Sequence, residues 1–164
     1  MPVLRREEGS VTVRVEIPGR DRLELRYLLL DVNGTLSDRG ELLEGVAERV
    51  SALRDVLEPR LLSADTFGTL SSIGDRLGIP VQTVRSGDEK LQVVRNLGAS
   101  GCVAVGNGSN DAAMLRAAAL GVAVVGPEGA SGAALAVADL VCRSIVDALD
   151  LLRDPRSLAA TLRA

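Results

Sequence analysis

Histidine and tryptophan are absent from this 164-residue chain, and Tyr27 and Phe67 are its only aromatic residues. Without histidine, Ser–His–Asp and Cys–His catalysis and His-ligated zinc are excluded. Two aromatic rings are too few for the stacking platforms that hold single-stranded nucleic acid. A net charge of −3 leaves no basic footprint for nucleic acid of any kind. The longest apolar run, Ala117 to Gly126, meets Pro127 well short of the roughly 20 residues a membrane span needs. Met1 to Ser10 carries charge where a secretory signal needs an apolar stretch. Cys102 and Cys142 are too few for a disulfide framework and sit in apolar runs, which predicts buried free thiols and a cytoplasmic protein. Catalysis is left to carboxylates, hydroxyls, amides, arginine and lysine.

Lysine and asparagine are also scarce, and their positions are informative. Lys90 is the only lysine among 19 basic residues. Asparagine occurs at 33, 96, 107 and 110 alone, against twelve aspartates. The rest of the composition, 46% hydrophobic and 25% charged, is that of a globular chain with enough length to bury one core. A single domain over residues 1–164 is expected.

Alternation from Val11 to Ile17 and again over Leu23 to Arg26, around Pro18-Gly19-Arg20-Asp21, predicts an N-terminal β-hairpin at a sheet edge. Tyr27 to Asp31 is a short apolar run ending in an acid, as in a buried central strand. Apolar residues at helical spacing predict a helix from Leu43 to Leu57, stopped by Pro59, with Leu61-Leu62 opening the next strand. Helix, strand and helix follow over Thr69 to Leu77, Val81 to Val84 and Asp88 to Leu97. Cys102 to Val105 is a strand, Gly106 to Asn110 a glycine-rich loop, Asp111 to Leu120 a helix and Val122 to Val125 a strand. Ser131 to Ala138, Leu140 to Cys142 and Ser144 to Arg153 complete the alternation, with a last turn or two after Pro155. This order predicts an α/β fold: an open, mainly parallel sheet with helices on both faces.

Ligands bind such sheets at the carboxyl ends of the strands. Four polar segments fall there: Asp31-Val32-Asn33-Gly34-Thr35, Ser63-Ala64-Asp65, the helix start at Lys90, and Gly106-Asn107-Gly108-Ser109-Asn110-Asp111. Carboxylates, amides and one ammonium in one crevice suit a phosphoryl group with a divalent cation, and hard oxygen ligands select magnesium. Asp65 is equally suited to capping the Thr69 helix, and Arg85 to the solvated surface. Gly106-x-Gly108 is the start of a dinucleotide fingerprint, but Asp111 stands at its third glycine and would repel a pyrophosphate.

In order and spacing these segments resemble the four motifs of the haloacid dehalogenase-like (HAD) hydrolases, nearest to the phosphorylation domain of P-type ATPases and its soluble relatives. The resemblance covers Leu28 to about Val125. It implies a HAD-type Rossmannoid fold and a magnesium-dependent phosphatase in which Asp31 forms an aspartyl-phosphate. Gly34, Thr35, Ser63, Ala64, Lys90 and Asn110 would hold the phosphoryl group. Asp31, the Asn33 backbone, Asn107 and Asp111 would surround Mg2+. The lone lysine and three of the four asparagines fall on these motifs. Lysine offers a compact charge that arginine does not.

Two residues depart from the family. Asn33 stands where its phosphatases carry the aspartate that protonates the leaving group, a service worth about 10²–10⁴ in rate. Slow turnover and a longer-lived phosphoenzyme are expected. Asn107 replaces a charged magnesium ligand, which implies weaker metal binding. Only 32 residues separate Asp31 from Ser63, and 27 separate Ser63 from Lys90, so neither interval holds a cap domain. Capless relatives act on large phosphorylated substrates or close the site with a neighbouring subunit, so a homo-oligomer is one way to complete it. The N-terminal hairpin serves such assembly or simply extends the sheet. The alternative function, kept open by the two asparagines, is a catalytically weak module that binds phosphate or a phosphorylated partner.

Overall fold

The computed structural model describes residues 12–164, so the signal-peptide reading of Met1 to Ser10 and the strand position of Val11 lie outside the described residues. Its centre is a six-stranded parallel sheet ordered β10-β9-β8-β3-β6-β7. Here β3 is Tyr27–Asp31, β6 Glu58–Ser63, β7 Val81–Thr83, β8 Cys102–Gly106, β9 Leu120–Val124 and β10 Leu140–Cys142. The leucine-rich strand β3 lies inside the sheet. β3 pairs with β6 on one side, Leu30 opposite Leu61, and with β8 on the other, Leu30 opposite Val105. Edge strand β7 is exposed at all three residues, which suits its Gln82 and Thr83.

Alternation along each strand feeds two cores. Leu28, Leu30, Leu61, Val103, Val105, Val122 and Val124 join one core with α1 (Val46–Leu53), α2 (Leu70–Leu77), α6 (Ile145–Leu152) and α7 (Pro155–Leu162). Leu29, Leu62, Ala104 and Ala123 join the other with α3 (Gly87–Leu97), α4 (Ala112–Ala117) and α5 (Gly132–Val137). Small residues in the second core let its helices approach closely: a methyl group at Gly121 would collide with the Leu115 carbonyl. The result is the expected three-layer α/β architecture. Cys102 and Cys142 lie buried in β8 and β10, and burial pushes the Cys102 thiol up to about 11 and raises that of Cys142. Both are packing residues rather than reactive thiols.

Four local expectations are corrected. The hairpin of β1 (Val13–Val15) and β2 (Leu23–Leu25) forms, but as a separate antiparallel pair and not on an edge of the main sheet. Val13, Val15, Ile17 and Leu25 are buried in the first core, where β1 meets α7. Pro59 does not stop a helix; it lies inside β6. Glu58 N–H donates to Arg26 O, so by alternation the Pro59 nitrogen faces the side where β7 has not yet begun, and no ladder bond is lost. The helix expected from Leu43 is shorter, because β4 (Ser37–Asp38) and β5 (Glu41–Leu42) form a flap and Gly45 begins α1. α4 ends at Ala117 because Leu120 is the first residue of β9.

The connection from β3 to β6 therefore holds a flap and one helix, and that from β6 to α3 one helix and one strand. Neither contains a cap. Among the described residues no helix is long and apolar enough to cross a membrane.

Candidate active site

β3 ends at Asp31, which is 6% exposed in the middle of the sheet's carboxyl edge. Lys90 Nζ donates to its Oδ1 at 2.8 Å and Thr35 Oγ1 lies 2.8 Å from its Oδ2. Lys90 comes from the first turns of α3, whose start is fixed by Ser86 Oγ accepting from Glu89 N–H. It is 2% exposed and also donates to Asp111 Oδ1 at 2.6 Å.

Two carboxylates thus share one ammonium away from water. Burial, then repulsion from Asp111, pushes Asp31 up to about 6 against the pull of Lys90 and Thr35. Burial draws Lys90 down, but the two carboxylates and their hydrogen bonds outweigh it and hold the ammonium above the ordinary lysine value. The site carries an excess negative charge that a further cation would offset.

Thr35 is fully buried, and its one hydroxyl hydrogen faces two acceptors, Asp31 Oδ2 at 2.8 Å and Asn107 Oδ1 at 3.1 Å. The Asn107 amide is oriented by its own donation from Nδ2 to Gly129 O at 3.1 Å. Oxygen acceptors therefore outnumber the hydrogens offered to them beside Asp31. An oxygen-only donor set with excess negative charge fits a hard divalent cation. Among the described residues no three His, Cys, Asp or Glu side chains converge as a metal cage. An ion here would be held by a mixed set: Asp31 and the Asn107 amide oxygen, which both face Thr35 Oγ1, together with the Asn33 backbone that the resemblance implies.

A crevice of about 260 Å³ opens above these groups. Asp31, Asn33, Ser63, Ala64, Lys90, Asn107 and Asn110 line it, so seven of the ten residues singled out from the sequence meet in one place. Gly34, Thr35 and Asp111 stand behind it. Gly34 turns the chain with φ +74°, and its N–H donates to Ser37 O. Thr35 orients the Asp31 carboxylate rather than reaching into the crevice. Asp111 has no exposed surface and both its oxygens are engaged, Oδ1 by Lys90 and Oδ2 by the N–H groups of Asn107 and Gly108 at 3.0 and 2.9 Å. These bonds position Lys90 and the loop.

Ser63 Oγ accepts from Asp65 N–H at 3.0 Å and from Asn33 Nδ2 at 3.4 Å, so its own hydrogen remains a donor for a ligand. Asp65, at φ +58°, accepts from Leu70 N–H and caps α2. Arg85 is exposed and does not line the crevice.

Three lining residues escaped the sequence reading: Thr66, Phe67 and Glu128. Phe67, 46% exposed, forms an apolar rim. Glu128 arrives on the loop after β9. Gly126 packs against the Gly34 carbonyl, and Ser131 N–H donates to Asn107 O at 2.8 Å, so this loop is pinned to two of the motif segments. The available signal was position: the loop follows the carboxyl end of a parallel strand.

Known proteins bear out this architecture. No family model matches the chain. An uncharacterized protein of Methanocaldococcus jannaschii is 46% identical over 61 residues, 37% of this chain and 66% of that one. A protein assigned to the HAD family of hydrolases from Streptomyces avermitilis superposes with a TM-score of 0.64 at 22% identity, over 84% of this chain and 87% of the other. The 3-deoxy-D-manno-octulosonate 8-phosphate phosphatase of Moraxella catarrhalis, solved with magnesium, phosphate and KDO, gives 0.65 at 18% identity over 83% and 90%. A zinc-transporting PIB-type ATPase in an E2.Pi state gives 0.61 at 27% identity over 73% of this chain, which spans 20% of that protein. The chain thus shares its fold with haloacid dehalogenase-like hydrolases.

Proposed function

We propose that the chain is a magnesium-dependent phosphohydrolase that works through an aspartyl-phosphate on Asp31. The observation that carries the reading is the setting of Asp31 on the crevice floor, held by Lys90 and Thr35 beneath Ser63. A carboxylate oxygen of Asp31 attacks phosphorus as the ester P–O bond breaks and the leaving alkoxide takes a proton. Water then attacks the same phosphorus, releasing phosphate and restoring the carboxylate. Lys90 and the Ser63 hydroxyl oppose the charge on the phosphoryl oxygens, and Asn110 stands at the same wall. A bound magnesium ion supplies Lewis-acid stabilisation of that charge.

Asn33 lies on the Ser63 side of Asp31, where it donates to Ser63 Oγ, and an amide cannot act as general acid to the leaving group or general base to the water near neutral pH. Turnover is therefore slow and the phosphoenzyme persists. That same observation supports a second reading, a module that binds phosphate or a phosphorylated partner with negligible hydrolysis.

Phosphate release from a panel of small phosphate esters and acetyl phosphate, with and without magnesium, separates the two. Magnesium-dependent release that disappears in Asp31→Asn supports the enzyme. Saturable ligand binding with no release above that blank supports the binding module.

A further inference from the structure

Resting on the phosphohydrolase reading, we infer that Glu128 supplies the acidic charge for the divalent cation that Asn107 does not. Position selects this role over proton transfer. Asn107 follows β8 and Glu128 follows β9, both on one side of Asp31 in the strand order. Ser63 follows β6 on the other side, and Asn33 turns its amide there. Glu128 therefore stands on the side of the acceptor oxygens of Asp31 and Asn107, across from the leaving-group side.

The loop geometry explains why the charge sits there. A side-chain atom added at Gly34 would collide with the Glu128 carboxylate and lie 2.9 Å from Asn107 Nδ2. The two side chains thus cover the same face of the Gly34 turn. Asn107 Nδ2 donates to Gly129 O, the residue after Glu128, at 3.1 Å. An aspartate at 107 would bring its own charge but could not make that donation, and would set an oxygen against the Gly129 carbonyl. Asparagine at 107 keeps an oxygen facing Thr35 and Asp31 while its nitrogen holds the loop that carries Glu128. The charge has moved one strand along the sheet. Glu128 is exposed, so its carboxylate is free to turn toward an ion, directly or through one water.

Calorimetric titration of Mn2+ into the metal-free protein tests this without reference to activity. Glu128→Gln is expected to weaken binding about tenfold, in line with the dependence of such sites on ligand charge. Glu48→Gln, on the exposed face of α1, is expected to leave it unchanged. Adding Asn107→Asp to Glu128→Gln is expected to recover most of the lost affinity. Unchanged Mn2+ affinity in a folded Glu128→Gln protein overturns the role of Glu128 and leaves the phosphohydrolase reading standing. If the wild type takes up no Mn2+ at millimolar concentration, both fall.

Discussion

At Asp31 the fold keeps a carboxylate where its protonated form is favoured. Burial and the neighbouring Asp111 outweigh Lys90, so the group titrates near 6 instead of 3.8. The ionised form is the one penalised in the folded state. Stability of the metal-free protein from this group is therefore full at about pH 4 and falls as pH rises through 6, by about 3 kcal/mol at most. Asp31→Asn removes the penalty while its amide oxygen still accepts from Lys90. Its urea midpoint is expected to exceed that of the metal-free wild type at about pH 7 and to match it near pH 4. A midpoint no higher at neutral pH would show that Lys90 already neutralises the site. In the proposed mechanism, what Asn33 lacks is a transferable proton. Asn33→Asp is expected to raise phosphate release severalfold or more, toward the roughly 10²–10⁴-fold that general acid–base help supplies, and to shorten the life of the phosphoenzyme. Single-turnover kinetics would show both changes, and an unaltered dephosphorylation rate would contradict the explanation of slow turnover.

Among the elements, the strands were legible because each carries a short apolar run, and their ends located most of the site. Asp31, Ser63 and Asn107 meet because the parallel register brings three strand ends to one edge. Boundaries were less legible where tertiary contacts decided them. Pro59 reads as a helix stop but sits in β6, harmless because its nitrogen faces an unpaired stretch. The flap of β4 and β5 reads as the start of a helix because Leu42 and Leu43 share the apolar spacing of α1. Glu128 was missed because nothing in Gly126-Pro127-Glu128-Gly129 distinguishes a loop over a site from an ordinary turn until the Gly34 and Asn107 contacts are seen. The roles of Thr35 and Asp111 were likewise invisible, since spacing shows proximity and not which oxygens are already engaged. The close approach of α4 to β9 makes a separate prediction. Gly121→Ala drives a methyl group into the Leu115 carbonyl, backbone against which nothing can rotate. Destabilisation of about 1–3 kcal/mol is expected by urea unfolding, with Mn2+ affinity of the folded fraction unchanged. A neutral substitution would mean that α4 shifts freely.

For the whole molecule, the sheet does two jobs. Its faces bury two cores, and its carboxyl edge gathers a charge cluster too costly to bury elsewhere. The crevice of about 260 Å³ has room for a phosphoryl group and its ion, and the exposed Phe67 adds an apolar side chain to its lining. The connections flanking the site add no cap. The hairpin is committed to the core beside α7, which uses its apolar face within the chain. The proposal that unites these features is covalent chemistry at Asp31. The most direct measurement is intact-mass and peptide analysis after brief exposure to acetyl phosphate and magnesium, quenched in acid. A single phosphoryl addition on the peptide containing Asp31, absent from Asp31→Asn and shorter-lived in Asn33→Asp, is the predicted result. No addition on that peptide while phosphate is being released would contradict the account, because hydrolysis would then proceed without Asp31 as nucleophile.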